Sequence, residues 1–429
     1  MTAVVVLAAV RAVVASSGPA GISPDSSRYR NPSDPLLAFR FDLANGPGQL
    51  VQVVFLFPLP LALALQAVLA ALIWGWAALV ATRDLAWPWF WIVLGFGLSP
   101  WWLVWDSRVL TEALTLAGIA LFASGAGRWM AGRQPALPMV AGAAIALLSR
   151  PIVVPLVLGI LIVACIVRRR LPGPRSTGAL LVALLLLAGV QSVVFGRALA
   201  TYDWLPEPVT LLSHQASDRV AARGRLPGYL ELAAASGMPN CPQVSDLAAG
   251  FEGSTALRRL PCPGIPEWLD RGGLAWWKEL ALNPGPTLTE ATTGAWVRES
   301  WWLYGSETWR PIMVRWIRER IDLVMWAVLG ASVVALLRPG RGWTGRAAVT
   351  VGTAAFALVM IMVDGLENWR HILPALAVLL PFAVAGWPRA GDDAPLPRPR
   401  RRREVLDPAS TAGPPPPGGP AGPPSRAVP

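Results

Sequence analysis

Charged side chains are scarce in this sequence, and two of the basic residue types are almost absent. Only 15% of the 429 residues are charged, whereas 54% are hydrophobic and the mean hydropathy is +0.47. The one lysine is Lys278, and the two histidines are His214 and His371. Two histidines exclude the usual histidine-based zinc site. So little polar surface does not fit the composition of a soluble globular protein.

Motifs for nucleotide and acyl chemistry are missing as well. The chain has no G-x-x-x-x-G-K-[ST] loop for the phosphates of ATP, and no convincing G-x-S-x-G turn for a nucleophilic serine. The sequence therefore gives no support to ATP-driven transport.

The sequence does contain a series of apolar runs. A transmembrane helix needs about 20 mostly apolar residues to cross roughly 30 Å of hydrocarbon. The candidate spans are 1–16, 61–81, 85–104, 109–127, 136–149, 151–167, 178–199, 321–337, 347–363 and 372–387. This pattern predicts an all-α polytopic membrane protein, a bundle of about ten transmembrane helices with one mixed, mainly helical external region. Because 136–149 is short and Pro151 follows it, a re-entrant hairpin is the alternative to two spans there.

The first run is short enough to resemble a signal peptide. It lacks the basic residues that open a signal peptide, and it carries Arg11 in its middle. We interpret it as a membrane span whose first turn is clipped by a start codon placed too late. The sequence leaves the completeness of the N-terminus open.

Arginines cluster in every second connection between the predicted spans. They are Arg83, Arg128, Arg133, Arg168, Arg169, Arg170, Arg175, Arg338, Arg341, Arg346, Arg398 and Arg400 to Arg403. The positive-inside rule places these connections, and with them both termini, in the cytoplasm. The net charge of +11 is mostly this topological signal. It does not require nucleic acid as a partner.

The predicted organisation has four parts. They are an N-terminal transmembrane module at 1–199 with its first external loop at 17–48, an external region at 200–320, a C-terminal transmembrane module at 321–388 and a tail at 389–429. The tail is rich in arginine and then in proline and glycine. Such a composition cannot build a core, so we expect the tail to be disordered in the cytoplasm.

The cysteines agree with this arrangement. Cys241 and Cys262 both fall in the predicted external region, whereas Cys165 lies alone in a span. An oxidising exterior permits disulfides. We predict a Cys241–Cys262 bridge, with two unpaired thiols as the alternative.

Ionisable residues gather at the external ends of the spans. They are Asp25, Asp34, Asp106, Glu112, Arg150, Glu367, Arg370 and His371. Charged groups at the edge of a membrane span usually face a cavity or a partner. We therefore expect an external pocket at membrane level. The alternative for each residue is topological or interfacial: the helix dipole favours Glu112, and Arg150 can extend to the interface.

The chemistry of these residue types suggests group transfer from a lipid phosphate. Carboxylates act as general bases toward a hydroxyl acceptor. Arginines hold a phosphate as negative charge develops on it.

Four short motifs carry a resemblance to a known family. They are Asp25 with Tyr29, Thr111-Glu112-Ala113-Leu114, Ser149-Arg150-Pro151, and Glu367-x-x-Arg370-x-x-x-Pro374. In their order along the chain and their predicted position on one side of the membrane, they resemble the GT-C superfamily of integral-membrane glycosyltransferases. That superfamily includes protein O-mannosyltransferases, the aminoarabinose transferases of lipid A and actinobacterial polyprenyl-phosphate-sugar transferases. The resemblance covers roughly 1–200 and 321–388.

The resemblance implies inverting transfer of a sugar from a polyprenyl-phosphate donor to an envelope acceptor on the external face of the cell membrane. Asp25 would be the general base, and Glu112, the other catalytic candidate, would shape the sugar or position the acceptor. The residues that would bind the donor phosphate or sugar are Arg28, Tyr29, Arg150, Glu367, Arg370 and His371. Many members carry two adjacent acidic residues in the first loop, whereas Ser26 follows Asp25 here. Either Asp34 supplies the second carboxylate of this pair, or this branch needs only one.

The resemblance names no required cofactor and leaves a divalent cation open. It implies membrane lipids as surroundings and a lipid, glycan or protein as acceptor. A flippase or transporter of polyprenyl-linked sugar is the alternative function, although the chain shows no obvious inverted repeat and its ionisable groups lie at one face. A non-catalytic envelope scaffold is the third. The sequence identifies neither the sugar nor the oligomeric state.

Overall fold

The computed structural model describes the chain in segments. These are residues 2–16, 49–99, 102, 106, 111–131, 136–150, 153–168, 185–186, 189–190, 228–244, 259–271, 273–293, 327–328, 330–334, 343–363 and 368–387. All regular structure in these segments is helical, with no strand, so the described fold is all-α as the sequence predicts. The tail predicted at 389–429 lies outside the described residues.

The principal helices are numbered here in chain order. They are α1 Thr2–Ser16, α2 Gln49–Val54, α3 Leu59–Thr82, α4 Trp87–Gly97, α5 Glu112–Met130, α6 Ala136–Ser149, α7 Val154–Arg168, α8 Tyr229–Ala235, α9 Ile265–Arg271, α10 Gly273–Leu282, α11 Gly285–Thr293, α12 Trp343–Val363 and α13 Asn368–Ala385.

Helix α5 is the centre of the bundle. All 19 of its residues are buried, including the charged Glu112 and Arg128. It packs against α3, α6, α7, α12 and α13. Because much of α5 is alanine, glycine and serine, these neighbours can approach its backbone closely.

Glycines make the contact between α5 and α6 especially tight. A Cβ atom added at Gly118, Gly125 or Gly142 would lie less than 3.0 Å from backbone atoms of the facing helix. The contacts pair Gly118 with Ala146 and Gly125 with Met139, so the two helices run antiparallel. This register brings the start of α5 beside the end of α6.

Helix α1 packs on α3 with one face only. Its buried residues Val4, Ala8, Arg11 and Ala15 recur every three or four positions, which is the helical repeat. The opposite face is apolar and exposed, with Val5 and Val13 among its residues. An apolar face turned outward differs from the surface of a soluble protein.

The described helices differ in length from the predicted spans. Among the described residues, Leu59–Thr82 is the one helix long and apolar enough to cross a membrane. Shorter apolar helices occur at Thr2–Ser16, Leu137–Ser149, Val154–Ala164 and Leu373–Ala385. Ten full-length spans are therefore not supported.

Individual helices show why the count falls short. Within the run predicted at 85–104, α4 has 11 residues and ends at Gly97, and α6 has 14. At 1.5 Å per residue both are shorter than about 30 Å of hydrocarbon. The spans predicted at 178–199 and 321–337 lie largely outside the described residues.

A second, smaller core lies in the region predicted to be external. It contains Tyr229, Leu232, Val244, Ile265, Trp268, Trp276 and Leu280. The sulfur atoms of Cys241 and Cys262 are joined as a disulfide across this core, with Cα atoms 5.9 Å apart. This is the pairing that the sequence analysis predicts.

Helix α8 ends in a glycine turn beside that core. Gly237 has φ 91°, and Met238 N donates to Ala233 O at 3.0 Å. This arrangement satisfies the last carbonyls of a helix and favours glycine. Ser236 then accepts a hydrogen bond from Trp268 Nε1 at 3.1 Å, which ties α8 to α9.

Candidate functional site

The start of α5 and the end of α6 are joined by an ion pair. Arg150 Nη1 donates to Glu112 Oε1 at 2.6 Å. The Glu112 side chain is 1% exposed and that of Arg150 is 12% exposed. The carboxylate therefore lies beneath the guanidinium, and Arg150 is the member of the pair nearer to solvent.

A second ion pair lies deeper and joins α1 to the segment that precedes α5. Arg11 Nε donates to Asp106 Oδ2 at 2.6 Å, and Arg11 Nη2 donates to Asp106 Oδ1 at 2.7 Å. The two side chains are 6% and 3% exposed. The geometry is the two-pronged one that arginine and carboxylate form best.

Backbone carbonyls complete the surroundings of this pair. Arg11 Nη1 donates to Gly97 O at 3.3 Å, and Gln66 Nε2 on α3 donates to the backbone oxygen of Asp106 at 3.4 Å. A small cavity adjoins Arg11 and is bounded by Trp74 and Trp102. Arg11 thus contacts both the last residue of α4 and Asp106, which precedes α5.

Sequence reasoning did not assign Arg11 to the site. It used this residue only to argue against a signal peptide, and it gave Asp106 a topological role as the main alternative. One signal was available: an arginine in the middle of an apolar helix requires a buried carboxylate or carbonyl partner.

Other polar contacts lie at the far end of α5. Arg128 Nη2 donates to Asp84 Oδ2 at 2.9 Å, and Arg346 Nη1 donates to Gly386 O at the end of α13. Glu112 and Arg128 are 16 residues apart on one helix, or about 24 Å along its axis. We call the two regions the Glu112 end, with Asp106, Glu112 and Arg150, and the Asp84 end, with Asp84, Arg128 and Arg346.

Glu112 was open to two interpretations from the sequence. One required a charged partner, and the other needed only the helix dipole. Arg150 is such a partner, and Glu112 also lies in the first turn of α5, where the dipole favours a negative charge. The two effects act together on this carboxylate.

The structure brings together two of the sequence-predicted site residues, Glu112 and Arg150. Arg370 and His371 belong to the first turn of α13, and their side chains lie outside the described part. The remaining predicted residues, Asp25, Arg28, Tyr29, Asp34 and Glu367, lie outside the described residues altogether.

Among the described residues, no group of three or more His, Cys, Asp or Glu side chains could hold a metal ion.

No protein-family model, curated protein or solved structure matches this chain. At the Glu112 end, a buried carboxylate orients the guanidinium of Arg150, whose side chain is the less buried of the two, and arginine is suited to binding an anion such as phosphate.

Proposed function

We propose that this chain is an integral-membrane glycosyltransferase of the GT-C type. It transfers a sugar from a polyprenyl-phosphate donor to a lipid, glycan or protein acceptor on the external face of the cell membrane. The observation that carries the proposal is the Glu112–Arg150 ion pair. It joins residues 38 positions apart from two of the four motifs of the resemblance.

The exposed surface of the bundle supports a membrane location. Large apolar side chains are exposed on several helices: Val5, Val6, Val10, Val13, Leu61, Leu69, Leu72, Trp76, Ile162 and Ile166. Water would make such faces unfavourable, at roughly 25 cal/mol for each Å² of apolar surface. Lipid removes that cost, so the bundle fits a bilayer. The multi-pass topology with both termini in the cytoplasm belongs to this proposal.

Two observations support placing the site on the external side. The arginine-rich connections lie at the opposite ends of the spans from Glu112. The Cys241–Cys262 disulfide belongs to the region assigned to the same side as Glu112, and disulfides persist in oxidising compartments.

Arg150 is the residue of the pair that binds the donor phosphate. Its guanidinium offers five N–H donors in a planar fork, which suits a carboxylate oxygen and phosphate oxygens together. In the transition state the bond between the sugar and the phosphate breaks. Negative charge then grows on the phosphate oxygens, and a fixed arginine stabilises it.

Glu112 serves as a positioning residue in this proposal. A carboxylate that is 1% exposed and bonded to an arginine at 2.6 Å cannot readily reach an acceptor hydroxyl. Asp25 is the general base: it takes the proton of the acceptor hydroxyl, whose oxygen attacks the anomeric carbon. Polyprenyl phosphate leaves from the opposite face, so the anomeric configuration inverts.

The proposal is tested by sugar transfer in isolated membranes. Wild type, Asp25→Asn, Arg150→Lys and Arg128→Lys are expressed to equal levels and supplied with radiolabelled polyprenyl-phosphate sugars and extracted envelope acceptors. Asp25→Asn should bind donor without transferring it. Arg150→Lys should lose about 100-fold in transfer, because lysine does not reproduce the planar fork. Arg128→Lys, the matched change at the Asp84 end, should keep most of the activity.

Several outcomes would change the proposal. Equal transfer by Asp25→Asn moves the base to Asp34. If wild type transfers nothing from any donor but moves polyprenyl-linked sugar across the bilayer, the chain is a transporter. If it retains the donor without either activity, it is a scaffold.

A further inference from the structure

Two buried hydroxyl groups belong to the residues that precede the members of the Glu112–Arg150 ion pair. Thr111 precedes Glu112 and is 2% exposed, and Ser149 precedes Arg150 and is 0% exposed. Neither Thr111 Oγ1 nor Ser149 Oγ has a hydrogen-bond partner among the described residues. A buried hydroxyl without a partner is unfavourable, because it has lost its hydrogen bonds to water and gained none in exchange. Such a group in a native structure calls for an explanation.

Several other buried hydroxyls in the described helices have a partner within their own helix. They donate to the backbone oxygen four residues earlier, at 2.7–2.8 Å: Thr82 to Ala78, Thr115 to Thr111, Ser124 to Ala120 and Ser332 to Val328. Ser149 is the last residue of α6 and makes no such bond. The side chain of Thr111 could cap the start of α5, but it makes no capping bond either. Neither hydroxyl is therefore used by its own helix.

Both hydroxyls lie along the seam between α5 and α6, the line of close contact at Gly118 and Gly142. Thr111 is seven residues before Gly118, and Ser149 is seven residues after Gly142. Residues seven apart share one face of a helix, and Thr111 itself has helical backbone angles, with φ −79° and ψ −14°. Because the two helices run antiparallel, both hydroxyls lie at the same end of the seam. This is also the end at which the ion pair joins the two helices.

We propose that the hydroxyls of Thr111 and Ser149 donate to oxygens of the donor phosphate that Arg150 binds. The inference rests on the proposed function and extends the phosphate site from one guanidinium to a set of donors. The Glu112–Arg150 pair carries no net charge, so a phosphate bound there gains from further O–H donors. Both hydroxyls are covered in the structure. The phosphate reaches them as the side chain of Arg150, the more exposed partner, turns to meet it.

The first experiment measures binding without sugar transfer. The purified full chain in lipid nanodiscs is titrated with polyprenyl phosphate and, separately, with polyprenol, which has the same lipid chain but no phosphate. Thr111→Val and Ser149→Ala should each raise the Kd for polyprenyl phosphate by about 10-fold, the loss expected for one hydrogen bond to a charged group. Their affinity for polyprenol should not change. Thr111→Ser and Ser149→Thr keep the hydroxyl and should restore most of the affinity for polyprenyl phosphate.

The second experiment separates this role from a structural one through the stability of the free chain. Deleting a hydroxyl that has no partner removes an unfavourable group. Thr111→Val and Ser149→Ala should therefore unfold at the same SDS fraction as wild type or at a higher one, although they bind the phosphate more weakly. Thr353→Val is the matched control, because Thr353 Oγ1 on α12 is buried and has no partner in the described part of the chain. It should keep both its stability and the wild-type affinity for polyprenyl phosphate.

Three results would overturn the inference. The first is wild-type affinity for polyprenyl phosphate in both Thr111→Val and Ser149→Ala. The second is an equal loss of affinity for polyprenol, which would mean that the hydroxyls do not act on the phosphate. The third is a loss of binding that is accompanied by unfolding at a lower SDS fraction, as a structural role requires. A wild type that binds polyprenyl phosphate but transfers no sugar contradicts the proposed function alone, and the binding of the variants then still decides the inference.

Discussion

The two ends of α5 each hold an arginine and a carboxylate, but they present opposite partners to the outside. At the Glu112 end the carboxylate side chain is 1% exposed and its arginine 12% exposed. At the Asp84 end the arginine is 4% exposed and its carboxylate 37% exposed. The same pair of residue types thus offers a cation at one end and an anion at the other. Which partner faces outward, rather than the presence of an ion pair, distinguishes a candidate phosphate site from a structural contact.

The largest effect is expected for the Arg11–Asp106 ion pair. Both of its side chains are buried, whereas the pairs at the two ends of α5 each have one more exposed partner. Arg11→Met should lower the free energy of unfolding by about 3–5 kcal/mol, because it leaves Asp106 charged and buried. The double variant Arg11→Met, Asp106→Leu should recover most of this loss. Unfolding of the purified chain by SDS titration in mixed micelles measures both. A double variant as unstable as the single one would show that the pair itself is needed for stability.

The next effect compares the two carboxylates directly. Glu112→Gln should lower kcat/KM for transfer by about 100-fold, because an amide orients Arg150 less firmly than a carboxylate. Asp84→Asn makes the same chemical change at the other end and should leave transfer close to wild type. The measurement is initial rate against donor concentration at matched expression. Similar losses in both variants would remove the functional distinction between the two ends.

A smaller effect should follow from separating α5 and α6 near the Glu112 end. Gly118→Val places side-chain atoms against the backbone of Ala146 and should cost about 1–3 kcal/mol of stability. Transfer should fall with it, since Arg150 and Glu112 come from the two separated helices. Gly95→Ala is the matched control, because no atom lies within 4 Å of its added Cβ. If Gly118→Val and Gly95→Ala unfold at the same SDS concentration, the close packing at Gly118 does not contribute to stability.

The smallest effect is expected for the exposed carboxylate. Asp84→Asn should change the free energy of unfolding by about 1 kcal/mol or less, since its amide oxygen can still accept from Arg128 and the site is partly solvated. The same SDS titration measures it. A loss as large as that of Arg11→Met would mean that the Asp84 end is as tightly coupled as the buried pair.

Much of the helical layout followed from the sequence, with exceptions that have clear causes. The apolar runs located α3, α5, α12 and α13 to within a few residues. The run at 85–104 was too long because mean hydropathy ignores backbone effects. Gly95, Gly97 and Pro100 lie in its second half, and α4 ends at Gly97.

The site was predictable only in part. The positive-inside rule predicted that Glu112 and Arg150 lie on the same side of the membrane. Their direct contact, however, depends on the close glycine packing of α5 and α6. The Arg11–Asp106 contact spans 95 residues. The position of Arg11 within an apolar helix indicates that it needs a buried partner, but a single sequence does not say which residue that partner is.

The complete burial of α5 has a consequence for how the protein is made. A helix with Glu112 in its first turn and Arg128 in its last is a poor candidate for insertion into lipid by itself. During synthesis α3 is already present, but α13, which covers another face of α5, emerges more than 200 residues later. Until α13 is made, the face of α5 that it covers stays open. Among the described helices α13 therefore completes the burial of α5, and truncation before α13 would leave that face uncovered.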